Sequence, residues 1–236
     1  MCCRYLLHKE HLKKVLAQMG IRVPEMATRY NIAPGTKIPA VRKTSRAETG
    51  CEFATLRWGL VPAWSKDGPQ QAGLVNARVE SLEIKASFRE AFRARRCLIP
   101  ASGFYEWKIA GRARLPWLFQ LIDDEPFFLA GLWESWVSPD GTPWETCAVI
   151  TTEPNLLMQP IHHRMPAILA LGSAEAWLDP AARTEELRDL LRTFPTELLK
   201  TRPVSLRVNS AANDDPECLQ SVDTNMPDGG QGMLAL

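Results

Sequence analysis

The sequence has 236 residues, of which 45% are hydrophobic and 23% charged, a composition typical of a globular protein with one large domain or two small ones. It contains no run of about eighteen apolar residues, which excludes a transmembrane helix. The apolar stretch near the N-terminus is too short for a secretory signal. The six cysteines form no C-x-x-C pair, which argues against a zinc site or a disulfide framework and favours a reducing, intracellular compartment.

The net charge of +1 conceals a strong asymmetry along the chain. Residues 1–118 contain 21 Lys and Arg against 9 Asp and Glu, a net +12, whereas residues 119–236 contain 7 against 18, a net −11. Such a distribution suggests that one face meets an anionic partner such as a nucleic acid. Alternatively, the two halves interleave in space and their charges cancel.

The pattern of apolar residues predicts a mixture of strands and helices. Residues 5–19 have helical spacing, and we expect a helix that ends at Gly20. Residues 81–95 predict a second helix with Ser81 as its N-cap. Residues 30–37 are too rich in Pro and Gly for a helix and predict a loop. Further helices are expected near Pro154 and at 173–178 and 184–193, and strands at 38–42, 52–58, 97–100, 103–109, 116–122, 126–133, 145–151, 165–170 and 204–208.

The order of these elements predicts an α+β fold: a single domain with a curved, mostly antiparallel, barrel-like sheet and peripheral helices. We place this domain at residues 1–222. The segment 223–236 has the composition of a flexible C-terminal tail.

Position 2 is the first candidate for chemistry. Removal of Met1 is favoured by a small second residue and would expose Cys2 with a free α-amine. The reference pKa values are about 7.7–8.0 for the amine and about 8.5 for the thiol, so modest tuning would activate either group. A 1,2-aminothiol can act as an amino-terminal nucleophile hydrolase, or it can condense with an aldehyde to form a thiazolidine. Alternatively, Cys2 has no function at all.

Other candidates are polar residues within apolar segments. Asn76 and Arg78 lie in LVNARVE, and Glu106 lies in GFYEWK. Flanking aromatic residues would desolvate Glu106 and raise its pKa, unless strand alternation points it to solvent. His162 and His163 precede Arg164, and we expect one of the two to carry a proton. In an extended segment they would face opposite sides.

Taken together, these segments resemble the SOS response-associated peptidase family, whose members are abasic-site processing proteins. The resemblance extends from residue 2 to about residue 222. Its motifs are MCxRY at the N-terminus, YNIAPGTK at 30–37, WGLVPAW at 58–64, NARVES at 76–81, RCLIPASGFYEW at 96–107 and IHHRMP at 161–166.

The resemblance implies a covalent reaction with DNA in the response to DNA damage. Met1 would be removed, by the protein itself or by an aminopeptidase, and Cys2 would form a thiazolidine crosslink with the ring-opened aldehyde of an abasic site. Asn76 would hydrogen-bond the opened sugar, and Glu106 would handle amine protons and position the intermediate. His162, rather than His163, would protonate the sugar oxygen. The resemblance leaves open whether the protein also has DNA lyase activity.

The resemblance also implies a groove for single-stranded DNA. Arg4 and Arg78 match residues that hold flanking phosphates, and Trp64 matches one that can stack on a base. These contacts would give affinity without sequence preference. The family usually has glycine where this chain has Cys3, which lacks a free amine and cannot close the same ring.

We therefore expect an abasic-site crosslinking protein that needs neither metal nor cofactor. Its partner would be single-stranded DNA containing abasic sites, without membrane association. We expect a monomer in the cytoplasm, associated with the nucleoid. Two alternatives remain: an amino-terminal nucleophile amidotransferase or peptidase in which Cys2 attacks an amide, and a non-catalytic DNA-binding module.

Overall fold

The computed structural model describes residues 3–45, 50–66, 68 and 73–222 of the chain. Cys2 and the segment 223–236 lie outside the described residues. Thirteen strands and four α-helices occur in the described part, in this order: β1 (Tyr5–Leu7), α1 (Lys9–Gln18), β2 (Arg29–Ile32), β3 (Lys37–Lys43), β4 (Cys51–Trp58), β5 (Asn76–Arg78), α2 (Arg89–Ala94), β6 (Arg96–Ala101), β7 (Gly103–Ala110), β8 (Ala113–Leu121), β9 (Phe127–Val137), β10 (Pro143–Thr152), β11 (Met165–Pro166), β12 (Ile168–Leu169), α3 (Ala174–Leu178), α4 (Thr184–Leu190) and β13 (Leu199–Pro203).

Five strands form a closed barrel. The pairings run β10–β4–β3–β6–β9, and β9 pairs with β10 to complete the ring. All of these pairings are antiparallel except β4 with β10. The short strands β5 and β11 pair with the C-terminal end of β10, and β12 pairs with β9. Closure leaves a continuous buried interior that includes Val41, Leu56, Leu98 and Ala148.

A second sheet of five strands runs in the order β13–β8–β7–β1–β2. One face of this sheet packs against the main core. The other face covers a smaller apolar cluster, in which Tyr105 and Leu118 contact Val204 and Val208. The α+β class and the barrel-like, mostly antiparallel sheet predicted from the sequence are both confirmed. No helix in the described ranges is long and apolar enough to cross a membrane.

Most strand predictions are confirmed within a few residues, but the first helix is shorter than predicted. Residues 5–7 form β1, which is buried because it lies between β2 and β7, and the helix covers only Lys9–Gln18. The first three residues of the loop predicted at 30–37 belong instead to the strand β2, Arg29–Ile32. Burial of both faces of β1 outweighs the helical spacing of its apolar residues.

The predicted helix at 81–95 is also wrong over its first half. Val79–Ser81 forms a 3-10 turn, and regular helix begins only at Arg89. Both Leu82 and Phe88 are buried. Six residues apart on a continuous helix, they would point about 120° apart, at the edge of what one apolar helix face covers. Ser81 is not an N-cap, because its hydroxyl donates to the Arg78 carbonyl.

Two further predictions fail near the C-terminal third. The residues after Pro154 form hydrogen-bonded turns rather than a helix. The strand expected at 204–208 is a 3-10 turn at Leu206–Asn209, capped by the Ser205 hydroxyl, which accepts from the backbone N–H of Arg207. The apolar alternation there reflects burial of Val204 and Val208 on one side of a turn.

Candidate functional site

Glu106 lies in the middle of β7 with its side chain only 2% exposed. Its neighbours in the chain are Tyr105 and Trp107, and its partner across the strand pair is Trp117. Burial raises the pKa of Glu106 from its ordinary 4.5 to about 7. The alternative that Glu106 points to solvent is therefore excluded. Near neutral pH this carboxyl group can either give or accept a proton.

His162 faces Glu106 from another part of the chain. Its Nδ1 atom lies 4.0 Å from Glu106 Oε1, close enough for electrostatic coupling but too far for a direct hydrogen bond. The backbone of Arg164 fixes the ring, with Nδ1 lying 3.0 Å from its nitrogen and 2.9 Å from its carbonyl oxygen. Burial lowers the pKa of His162, so the imidazole is mainly neutral at pH 7. The pair thus combines a raised and a lowered pKa.

His163 does not face away from His162, contrary to the sequence prediction. The two ring centroids are 4.4 Å apart with an interplanar angle of 32°. The chain is not extended here: the backbone N–H groups of Ile161 and His162 both donate to the carbonyl of Met158. A bend of this kind brings neighbouring side chains to the same side, where His162 is half-buried and His163 is exposed.

Glu106 and the two histidines line a cavity of about 370 Å³. Cys3 contributes to its wall, and burial together with the Glu106 carboxylate raises the pKa of the Cys3 thiol. The wall also includes Arg114, on the strand next to β7. Sequence reasoning missed Arg114, because only the hairpin pairing brings it to the site.

Asn76 and Arg78 lie on β5, beside the barrel strand β10. Asn76 is opposite Val149, and Arg78 is opposite Thr151 in the parallel pairing. Asn76 is half-buried and Arg78 is exposed. Neither residue is among those that line the described wall of the cavity.

An ion pair joins the Asn76–Arg78 strand to the histidine segment. Arg164 is 8% exposed, and its guanidinium donates to both carboxylate oxygens of Glu80, at 2.5 and 3.1 Å. It also donates to the carbonyl of Thr151 at 2.6 Å. The hydrogen bond from Arg164 lowers the pKa of Glu80, which keeps this carboxyl group ionised. We call this arrangement the Glu80–Arg164 brace. The sequence indicates this brace only by placing an acidic and a basic residue in two separate motifs.

Arg4 is held by the interior of the protein. Its Nη1 donates to Asn31 Oδ1 at 2.9 Å and to the carbonyl of Val208 at 2.8 Å. Asn31 is 1% exposed and donates in turn to three carbonyls of the 208–213 segment. The guanidinium lies 5.9 Å from the ring centroid of Trp107. Arg4 is thus fixed close to the strand that holds Glu106, and part of its hydrogen-bonding capacity is used within the fold.

Trp64 is 66% exposed, although it lies in an anchored loop. Trp136 donates from Nε1 to the carbonyl of Ser65 at 2.7 Å, and the backbone N–H of Val61 donates to Thr146 Oγ1 at 3.0 Å. A large aromatic ring exposed on a fixed loop is available to a ligand. Trp64 also lies outside the cavity wall.

The titratable side chains around the cavity do not form a metal-ligand cluster. Among the described residues, no group of three or more His, Cys, Asp or Glu side chains is arranged to hold a metal ion. The arrangement instead supports proton transfer, because a buried acid and a neutral histidine lie close together in the wall of one cavity.

These features define a barrel protein in which a buried carboxyl group with a raised pKa and a neutral histidine line one small cavity. The family model described as SOS response associated peptidase matches residues 1–211, and the chain belongs to this family. It is 37% identical over 227 residues to the abasic site processing protein YoqW of Bacillus subtilis, covering 94% of this chain and all of the relative. It is 32% identical to the abasic site processing protein HMCES of Gallus gallus, covering 84% of this chain and 67% of the relative. A crystal structure of a protein from Bacteroides thetaiotaomicron superposes with a TM-score of 0.82 at 27% identity, covering 94% of this chain and all of that one.

Proposed function

We propose that this protein processes abasic sites in single-stranded DNA by forming a covalent crosslink through Cys2. The observation that carries the proposal is the buried Glu106 carboxyl, 4.0 Å from His162, beside a cavity whose wall includes Cys3. Cys3 is the residue next to Cys2 in the chain. The abasic site processing activity named for the relatives agrees with this chemistry. We assign it to a domain spanning residues 1–222.

The reaction begins with the chain cut by hydrolysis after Met1, either by the protein itself or by an aminopeptidase. The freed amine of Cys2 attacks the aldehyde carbon of the ring-opened sugar. Loss of one water gives an imine, and the thiol sulfur then adds to the imine carbon while the nitrogen takes up the thiol proton. The product is a five-membered thiazolidine, formed without any oxidant or reductant. It masks the aldehyde that would otherwise promote strand cleavage.

Glu106 handles the protons of the amine in this scheme. Its pKa of about 7 lies close to the reference value of about 7.7–8.0 for an α-amine, so a proton passes between them at little cost. An ionised Glu106 accepts the ammonium proton before attack, and the protonated carboxyl then assists departure of the hydroxyl group as water. A carboxyl group with an ordinary pKa would be a far weaker base for this step.

His162 gives a proton to the sugar oxygen during ring opening. Because burial lowers the pKa of His162, its protonated fraction falls as the pH rises. The ionised fraction of Glu106 instead increases as the pH passes about 7. The two requirements oppose each other, and we expect a bell-shaped pH dependence of crosslinking with its maximum between the two pKa values. Asn76 would hold the opened sugar.

DNA binding in this proposal uses Arg4, Arg78 and Trp64. The cationic groups would contact flanking phosphates, and Trp64 would stack on a base, which contributes about 1–3 kcal/mol. Trp64 and Arg78 are both exposed, as such contacts require. A site without a base needs little unstacking to enter a cavity.

The test is to mix the protein with single-stranded DNA containing one abasic site and to separate the products on a denaturing gel. The wild type should give a denaturation-resistant adduct, and intact mass should show that the chain begins at Cys2. Cys2→Ala should give none unless borohydride traps the imine. Cys3→Ala is the matched control and should retain the adduct. Fully duplex DNA should react less.

Other outcomes would redirect the assignment. A stable, unreduced crosslink with Cys2→Ala would refute the thiazolidine mechanism, as would active protein that retains Met1. A complex that dissociates on denaturation would favour a binding module. An acyl-enzyme detected by mass spectrometry would favour an amino-terminal nucleophile hydrolase. Shortened DNA strands on the same gel would reveal a lyase activity.

A further inference from the structure

The turn between β7 and β8 carries three cationic side chains beside the cavity. We call residues 108–114 the basic hairpin. Its strands pair to the end, with Ala110 opposite Ala113 and only Gly111 and Arg112 in the turn. Lys108, Arg112 and Arg114 are all exposed. None of the roles assigned above uses this element.

The charges of the basic hairpin are not neutralised within the described fold. Exposed cations on the helices, such as Lys13 and Arg93, each pair with a carboxylate three residues away. Lys108, Arg112 and Arg114 form no such ion pair with any acidic group in the ranges that the structure describes. Three cations on one two-stranded turn repel one another and attract an anion.

The basic hairpin opens directly onto the cavity. Arg114 and Ile109 lie opposite each other across the hairpin, and both line the cavity wall. Burial raises the pKa of Glu106, whereas the positive charge of Arg114 lowers it. The guanidinium therefore lies within electrostatic range of the site. Ile109 is 64% exposed.

The base of the basic hairpin is fixed before any ligand binds. Asn209 donates from Nδ2 to the carbonyl of Arg114 at 3.3 Å. The indole N–H of Trp107 donates to Asn209 Oδ1 at 2.6 Å. These contacts tie both strands of the hairpin to the turn at residues 206–209. Ligand binding would therefore cost little ordering of this backbone.

We propose that the basic hairpin is a second DNA-binding arm, which holds phosphates of the strand on one side of the lesion. This proposal rests on the proposed function. The cavity is lined both by Glu106, in the five-stranded sheet, and by His162, which follows barrel strand β10. Arg78 belongs to the barrel side and the hairpin to the other sheet, so a strand with its abasic site in the cavity meets Arg78 on one side of the lesion and the hairpin on the other.

The test compares two triple variants that differ from the wild type by the same charge. The hairpin variant carries Lys108→Gln, Arg112→Gln and Arg114→Gln. The control carries substitutions on exposed cations of α1 and α2: Lys13→Gln, Arg89→Gln and Arg93→Gln. Binding is measured by fluorescence anisotropy at several salt concentrations, with single-stranded DNA that contains a tetrahydrofuran abasic analogue. This probe has no aldehyde and cannot crosslink, so binding is measured separately from chemistry.

The hairpin variant should bind more weakly and with a smaller salt dependence. Removing one cation that binds a phosphate of a single strand reduces the salt slope by about 0.7, which is about a fivefold decrease in affinity at 0.1 M salt. The control should match the wild type. If the hairpin variant has a lowered unfolding temperature, a double variant with Lys108→Gln and Arg112→Gln replaces it. Both substitutions lie near the exposed tip, and the expected effects are smaller.

Trimmed oligonucleotides locate the contact. When the nucleotides on one side of the lesion are removed, the difference between wild type and hairpin variant should disappear, and removal of the other side should leave it intact. Arg78→Gln should show the reverse pattern. Equal affinities and slopes for the hairpin and control variants, or a wild type that does not bind the probe, would overturn the proposal. Failure to crosslink true abasic DNA would refute the proposed function while leaving a positive binding result in place.

Discussion

Replacing Glu106 by glutamine should stabilise the protein at neutral and alkaline pH while impairing its chemistry. The folded state raises the pKa of this carboxyl from 4.5 to about 7 by burial. Between these pH values the folded state binds more protons than the unfolded state, so the free energy of unfolding falls as the pH rises through this window. At about 1.4 kcal/mol per pH unit, the decrease amounts to about 3 kcal/mol. Glutamine is never ionised and avoids this decrease.

Urea unfolding of both proteins at pH 4.5 and pH 8 measures this effect. At each pH, the unfolding free energy of the wild type is subtracted from that of Glu106→Gln. This difference should be about 3 kcal/mol larger at pH 8 than at pH 4.5. Other carboxyl groups titrate equally in both proteins and cancel. Glu197→Gln, at an exposed position, is the matched control and should show little shift. If Glu106→Gln shifts no more than this control, the carboxyl group does not have a raised pKa and the proton-transfer argument fails.

Three further predictions concern the surroundings of this carboxyl. His162→Ala should slow adduct formation by about 10²-fold or more, which is the contribution of a positioned acid. His163→Ala should slow it less, since its ring contacts His162 but has no place in the proposed proton transfer. Equal decreases in single-turnover assays would show that the proton carrier is misassigned. Arg164→Gln should lower crosslinking and the unfolding temperature together, because it leaves the Glu80 carboxylate without its partner. Arg164→Lys should restore neither fully, since one ammonium group cannot replace a bidentate contact. Full activity in Arg164→Gln would refute the role of the Glu80–Arg164 brace. Trp64→Ala should weaken binding of single-stranded DNA by about 1–3 kcal/mol without changing its salt slope, and a changed slope would show that the ring is not a stacking surface.

The sequence predicted those features that depend on local pattern. Alternating apolar residues located the long barrel strands, and aromatic neighbours predicted the raised pKa of Glu106. The same local reasoning failed where burial on two sides decides the structure, as in β1. It also failed at residues 82–88, which precede the helix although Leu82 and Phe88 are both buried.

Contacts between distant segments escaped prediction for a different reason. The Glu80–Arg164 brace and the bonds of Asn31 to residues 208–213 join positions 84 to 182 residues apart. Nothing in the local spacing of either partner indicates the other. The resemblance of motifs pointed to Glu106 and His162 but not to Arg114, whose position follows only from the register of a hairpin.

The bond from Arg4 to the carbonyl of Val208 spans 204 residues and has a consequence for biosynthesis. The ribosome makes the segment around Arg4 long before the turn that anchors it, and both Glu106 and His162 are added in between. A free aminothiol near the N-terminus would meet cellular aldehydes throughout translation. The surroundings that would activate it are complete only when nearly all of the domain has been made. Under the proposed function, the nascent chain would therefore pass through synthesis with its aminothiol unassisted.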